Sequence, residues 1–253
     1  MNINEIGEIV SDLTPRPKIA REGWLRTAAF LTTGGIVTTV GQQLKKGSGA
    51  GKTIGRLLDV GGRTIVGLGF FSLLSYRDPE RGAFGSDPDY VYAPTDGKVI
   101  EVNRNTEETK FIKGPAYKIT IANHLLNVHV QRAPLAGLVR YVFCETEASK
   151  REANYLGIVA EQDERERRVL IVQEFNPTNP FRLPQPLGEK APGSVEVWAG
   201  NRVEIAQKIG VAGFGQPTLV SIYLPADFVI DLLCKEGQRV QAGMTVLARF
   251  RTI

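Results

Sequence analysis

Cysteine and histidine are both scarce in this chain of 253 residues. Cys144 and Cys234 are its only thiols. One pair cannot build a disulfide framework, and neither cysteine lies in a CxxC or Cys/His spacing that would bind zinc. Both are expected as free thiols in a reducing compartment, and no metal is expected. His124 and His129 are the only histidines, so any imidazole chemistry must fall to one of them. A secretory signal is not expected, because the opening MNINEIGEIVSDL puts acidic residues where a basic n-region belongs. Charge of either sign is modest. The net charge of +4 suits an anionic membrane surface or nucleic acid and selects neither. With 42% hydrophobic residues the chain can bury one sizeable core, or a core and a small appendage.

Long hydrophobic runs are absent as well. Trp24 to Val40 is apolar but carries Arg26, five threonines and a Gly-Gly pair. Thr64 to Tyr76 falls short of the roughly 20 residues that a helix needs to span a bilayer. The basic stretch QQLKKGSGAGKT lies between them. This pattern predicts a helical hairpin over residues 1–81 that dips into one leaflet or lies in the interface, with Trp24, Phe30, Phe70 and Phe71 touching lipid. GSGAGKT resembles a phosphate loop. That motif needs a glycine, four residues, and then Gly-Lys-Thr, and the place of the first glycine is held by Lys46. No buried strand precedes it, so nucleotide binding is not expected.

After RDPERG, a turn or hinge at Arg77 to Gly82, the period changes to that of short strands. KVIEV (98–102), YKITIA (117–122) and LNVHVQ (126–131) alternate, with turns at Asp96-Gly97 and Lys113-Gly114-Pro115 between them. Thr146 to Arg168 is charge-rich and reads as a helix or a long loop. Asn176 to Pro192 holds five prolines and reads as an irregular surface loop. Strand pattern returns at VEVWAG and LVSIYLP. CKEGQRVQAGMTVLARF reads as two short strands around Ala242-Gly243, like the hairpins of biotinyl and lipoyl domains. A carrier role does not follow, because Met244 is followed by Thr245 and not by lysine.

Four strings in order carry a family resemblance: REGW (21–24); YRDPERG with YAPTDGKVIEV (92–102); NVHVQRAPLAG (127–137); and GFG with YLPADF and EGQRVQAGMTVLARF. In these the chain resembles the short-form phosphatidylserine and archaetidylserine decarboxylases from about residue 17 to its end, with the middle, 146–197, departing most. The resemblance implies a mainly β (α+β) fold, in which a barrel or sandwich core of residues 82–253 follows the helical membrane hairpin. It also implies an anionic aminophospholipid partner, the cytoplasmic face of the cell membrane, a homodimer and no nucleic acid.

The resemblance implies a chemistry too. Loss of carbon dioxide from the serine head group needs an electron sink, a Schiff base between the substrate amine and a protein carbonyl. Members of the family make that carbonyl, a pyruvoyl group, by cleaving their own chain at a Gly-Ser pair. Asp96 matches the family's aspartate, and His129 its decarboxylation histidine. Arg132 stands where long forms have a second histidine, so the processing base has no counterpart by position. His124 is off-motif. Asn154 is the nearest candidate for a pocket asparagine.

At the cleavage site the sequence is Gly213-Phe214-Gly215-Gln216-Pro217-Thr218. If GFG sets the register, Gln216 after Gly215 replaces the serine. If Tyr223-Leu224-Pro225 sets it, Thr218 does, with Pro217 in place of the glycine. Glutamine has no nucleophilic hydroxyl, and a threonine after a rigid proline opposes the geometry that cleavage needs. Ser221 lies inside a strand pattern. The expectation is therefore a relative that works in phosphatidylethanolamine biosynthesis by binding phospholipid or regulating, without cleaving itself and without a pyruvoyl group. The alternative is an active decarboxylase with an unusual ketoacyl group.

Overall fold

The computed structural model describes residues 18–251 except 20, 76, 80, 82–86, 125–126, 146–151, 161–166, 176–193 and 213–217. The proline-rich segment and both Gly215 and Gln216 thus lie outside the described residues. The chain divides into two compact units, Met1–Glu80 and Arg81–Ile253.

The first unit is a pair of antiparallel helices, α1 (Arg21–Leu44) and α2 (Ala50–Ser75), with a two-residue ladder of β1 (Lys18–Ile19) and β2 (Arg77–Asp78) beside them. Glycines recur every seven residues, at 34 and 41 on α1 and at 55, 62 and 69 on α2, so each set stays on one helical face. Gly34 faces Gly62, and Gly41 faces Gly55. A Cβ on Gly62 would stand 2.5 Å from the Thr38 nitrogen, so the backbones meet where only glycine fits. Because the small residues face inward, Ile36, Val40, Ile54, Leu57, Val60 and Leu68 are left exposed. Thr32, Thr38, Thr39 and Thr64 each donate to a carbonyl four residues back, which satisfies their hydroxyls within the helices. Both helices reach beyond the apolar stretches seen in the sequence. The basic loop shrinks to residues 45–49, and Gly51-Lys52-Thr53 lie in the first turn of α2, with no strand between the helices. Among the described residues no helix is long and apolar enough to cross a membrane.

The second unit is built from two copies of one strand pattern. The contiguous copy runs β6 (Val130–Arg132), β7 (Gly137–Glu145), β8 (Glu152–Val159), β9 (Arg168–Phe175), β10 (Ser194–Val195), β11 (Arg202–Val203) and β12 (Lys208–Val211). The other copy is split around it. It begins β3 (Tyr90–Tyr92), β4 (Gly97–Glu108), β5 (Gly114–Asn123) and resumes as β13 (Thr218–Pro225), β14 (Val229–Leu232), β15 (Arg239–Val240), β16 (Val246–Phe250). The large sheet has the order β11-β7-β8-β9-β13-β5-β4-β15, which is palindromic in this correspondence. The small sheets, β10-β12-β6 and β14-β16-β3, are each other's mates.

Hydrogen bonds repeat with the strands. Tyr92 N–H donates to Pro134 O and Arg132 N–H to Pro94 O, both at 2.9 Å. Val99 bonds to Gln238 as Val139 bonds to Asn201, and Gly237 to Val99 as Gly200 to Val139. Gly97 and Gly137 occupy equivalent tight corners, where a Cβ would come within 2.3 Å of Ala122 O and 2.1 Å of Val159 O. The common core is Val99, Ile119, Ile121, Val139, Ile158, Ile171, Val220, Ile222 and Leu224, drawn from alternate positions of the large sheet.

Three expectations need correction. Glu152–Val159 is a strand in a hairpin with β9, so neither a helix nor a long loop fills 146–168; the charged flanks ASKRE and EQDERERR obscured its alternation. Among the described residues of LNVHVQ only Val130 and Gln131 join a ladder, because the chain there passes from one copy into the other. The last two strands flank the turn at Ala242-Gly243 but pair elsewhere, β15 with β4 and β16 with β3 and β14.

Candidate functional site at the junction of the two copies

In the contiguous copy β8 and β9 form a plain hairpin, closed where Ala160 N–H donates to Arg167 O at 2.8 Å. In the split copy the equivalent hairpin, β5 with β13, is opened and the second copy is inserted. The chain therefore leaves the split copy after Asn123 and re-enters it at Thr218, its ladder partner. Ala212 N–H donates to His129 O at 2.7 Å, which joins the two ends of the inserted copy. His129 and both ends of the segment that would hold the cleavage site are thus fixed at the same strand ends.

Asn123 organises this junction. It is fully buried, and its Nδ2 donates at 2.9 Å to Thr95 Oγ1 and to Val128 O. Its Oδ1 is buried with no hydrogen-bond partner among the described residues, an orphan that costs free energy unless something else meets it. Thr95 leads to Asp96 in the corner before β4. The Asp96 carboxylate accepts from both terminal nitrogens of Arg81, Nη2 to Oδ2 at 2.8 Å, and from the Ala242 amide at 2.8 Å. Arg81 Nη1 also reaches Ala242 O at 3.2 Å. Asp96 is therefore more than an Asp-Gly turn residue: it ties the corner of β3–β4 to the turn before β16. His129 is fully buried, and Thr218 is buried at the first position of β13.

The structure thus gathers Thr95, Asn123, His129 and Thr218 around one junction, with Asp96 next to Thr95 in the chain. Gly215 and Gln216 lie outside the described residues. His124 is exposed and Arg132 donates to Ala206 O at 2.9 Å. Ser221 is buried in mid-strand, hydrogen-bonded to Thr120 at 3.1 Å. Asn154 donates to Gln173 Oε1 at 3.1 Å and faces that strand instead of the junction. In the helical hairpin Trp24, Phe70 and Phe71 are exposed, whereas Phe30 packs against Gly69. Among the described residues no three acidic, histidine or cysteine side chains are grouped to hold a metal.

Arg81, Thr95 and Asn123 were not singled out by the sequence as site residues. Of the three only Thr95 lay in the internal repeat, APTDGKV against APLAGLV with GQRVQ (237–241) against GNRVE (200–204); Arg81 and Asn123 lie outside these strings. That alignment puts Asp96 opposite Ala136, so the aspartate is a departure from the shared corner and not a requirement of it.

The sequence profile of the family described as Phosphatidylserine decarboxylase matches residues 68–248. The phosphatidylserine decarboxylase proenzyme of Symbiobacterium thermophilum is 30% identical over 246 residues, covering 92% of this chain and 96% of that protein. The putative archaetidylserine decarboxylase proenzyme of Methanosarcina mazei is 31% identical over 91% of this chain and 95% of its own length. No solved structure matches. With the strand junction, the four sequence strings and these full-length likenesses together, the chain belongs to the phosphatidylserine decarboxylase family, whose members are pyruvoyl-dependent decarboxylases.

Proposed function

We propose that this protein is an uncleaved member of its family, a phospholipid-binding or regulatory protein of phosphatidylethanolamine biosynthesis that carries no pyruvoyl group. The observation that carries this reading is the loss of the serine: Gln216 offers no hydroxyl after Gly215, and Thr218 follows Pro217. Thr218 is also buried in ladder register with Asn123. To attack the preceding carbonyl, its hydroxyl would have to leave that register against a proline whose φ is fixed. The residues at the site therefore do not suit the family's cofactor.

The ligand in this reading is an aminophospholipid held at the junction, where the Asn123 Oδ1 acceptor suits an ammonium donor. The helical hairpin lies against an anionic membrane at its cytoplasmic face, with Trp24, Phe70 and Phe71 in the interface, and the protein acts as a homodimer. The exposed apolar residues of α1 and α2 support the membrane contact. The second reading is an active decarboxylase that draws a ketobutyryl group from Thr218; its support is that Thr218 stands opposite Asn123 at the strand ends next to His129.

Vesicles containing phosphatidylserine decide between them. The full-length protein should co-sediment with the vesicles and release no carbon dioxide from carboxyl-labelled lipid. Release above that of a heat-denatured control would overturn the reading in favour of the second.

A further inference from the structure

The glycine seam between α1 and α2 sorts the other residues of the helical hairpin onto two sides. An α-helix turns by about 100° per residue, so the residue before a seam glycine projects to one flank of the seam and the residue after it to the other. Because the helices are antiparallel, the preceding residues of both share one side of the pair, and the following residues share the opposite side. Before Gly34, Gly41, Gly55, Gly62 and Gly69 stand Thr33, Val40, Ile54, Gly61 and Leu68. After them stand Gly35, Gln42, Arg56, Arg63 and Phe70.

Charge follows this division. From Thr27 to the end of α2, the charged residues within the helices are Lys52, Arg56, Asp59 and Arg63. Their spacing of three or four residues keeps all of them on the second side. Lys45 of the loop reaches Asp59 there, as Arg63 does. The first side has no charged residue over the same length, and Val40, Leu44, Ile54 and Leu68 stand exposed on it. Residues 27–75 hold five cations and one anion, and the whole chain has a net charge of +4. The rest of the chain, its opening segment included, therefore sums to zero, and the hairpin holds the protein's net positive charge. An uncharged aliphatic side backed by a basic side is the pattern of a helix that lies in the surface of an anionic membrane. Entry by the loop end would carry Lys45, Lys46 and Lys52 into hydrocarbon, and the opposite face downward would carry Arg56 and Arg63 there.

We infer that the hairpin embeds flat in one leaflet of an anionic bilayer, with its uncharged side against the acyl chains. Its charged side then stands about one helix diameter, or about 10 Å, higher, at the level of the lipid phosphates. Phe70 is on that charged side, and so is Trp24, three residues before the buried Thr27 that continues the seam. Both rings are thus held at head-group level, where aromatic side chains settle. Neither helix has to cross the membrane, in keeping with their length and apolarity. The inference rests on the membrane contact proposed above and adds its side and depth; it does not depend on whether the chain cleaves itself.

The test is co-sedimentation of the full-length protein with phosphatidylcholine vesicles that contain phosphatidylglycerol. Two variants add the same charge to opposite sides: Val40→Lys with Leu68→Lys, and Gly35→Lys with Gln42→Lys. Val40, Leu68 and Gln42 are exposed, and a Cβ on Gly35 would meet nothing within 4 Å, so all four positions have room for the new side chain. The first variant should bind at least about tenfold more weakly than the parent despite its added cations, and the second as tightly or more tightly. The parent should stay bound in about 1 M salt, where attraction between surface charges is screened away. Equal binding of the two variants, or release of the parent by salt, would overturn the inference and leave the membrane contact itself standing. No binding of the parent at any salt concentration would overturn both. A lower melting temperature, or the loss of a dimer, in the first variant without vesicles would put a protein surface on the uncharged side, and would overturn the inference as well.

Discussion

Arg81 holds Asp96 through both of its terminal nitrogens, and the same carboxylate receives the amide of Ala242 from near the other end of the unit. Both side chains are largely withdrawn from solvent, 9% and 14% exposed. Removing one partner leaves the other charge buried and uncompensated. Asp96→Asn should therefore cost about 3 kcal/mol, measured from the urea midpoint of the full chain. Arg81→Met combined with Asp96→Asn should cost less than the sum of the two single changes, by about 1–3 kcal/mol. Additive losses would mean that the pair does not act as one clamp.

The pseudo-equivalence of the two corners has its own consequence. Gly97→Ala and Gly137→Ala would each push a methyl group into a carbonyl oxygen of the neighbouring strand. Each should destabilise the fold by about 1–3 kcal/mol, and the two should agree within about 1 kcal/mol. Denaturant unfolding of both variants checks this. A neutral effect at either corner would show that the two copies do not share the constraint.

Asp59 faces two cations from within the helical hairpin. The hydrogen bond from the Lys45 ammonium, opposed by burial and aided by Arg63, holds its carboxyl below the usual carboxylate range. A depressed carboxylate stabilises the folded state above its unfolded pKa of about 3.9, and that contribution is lost as pH falls through the lower folded value. Protection of the α1 and α2 amides, taken relative to intrinsic exchange at each pH, should accordingly fall below about pH 4 in the parent chain. Asp59→Asn should already exchange faster at neutral pH, and the difference between the two proteins should vanish in acid.

Trp24 and Phe70 are both more than half exposed on the hairpin. Burying each in a lipid interface is worth about 1.5–3 kcal/mol. Trp24→Ser with Phe70→Ser should weaken co-sedimentation with anionic vesicles by about tenfold or more, with far-UV circular dichroism unchanged. Equal sedimentation of parent and variant would remove these two residues from the lipid contact.

Much of the β unit was legible in the sequence because its central strands alternate cleanly: Val220, Ile222 and Leu224 turn inward between half-buried Leu219 and Tyr223. The strand at Glu152–Val159 was hidden because charged residues on both sides suggest a solvated segment, while Ala153, Leu156, Ile158 and Val159 lie buried in the sheet. The helices exceeded their apolar stretches for a different reason. Glycine and threonine lower helix propensity, yet Gly34, Gly41, Gly55 and Gly62 form the contact face, where close backbone packing offsets the cost, and Thr32, Thr38, Thr39 and Thr64 bond their hydroxyls within the helices. His129 and Asp96 were found through family strings. Asn123 and Arg81 could be recognised only when folding brought residues far apart in sequence to one junction, and nothing in the local pattern of either announces a site.

The central claim is that no residue at positions 216–218 generates a carbonyl, and intact mass under denaturing conditions tests it most directly. Protein purified from cells and denatured without prior lipid should give one species at the full 27.7 kDa. Two fragments, the smaller beginning at position 216 or 218 with the mass of a ketoacyl terminus, would contradict the account and make this an active decarboxylase with an unusual cofactor precursor.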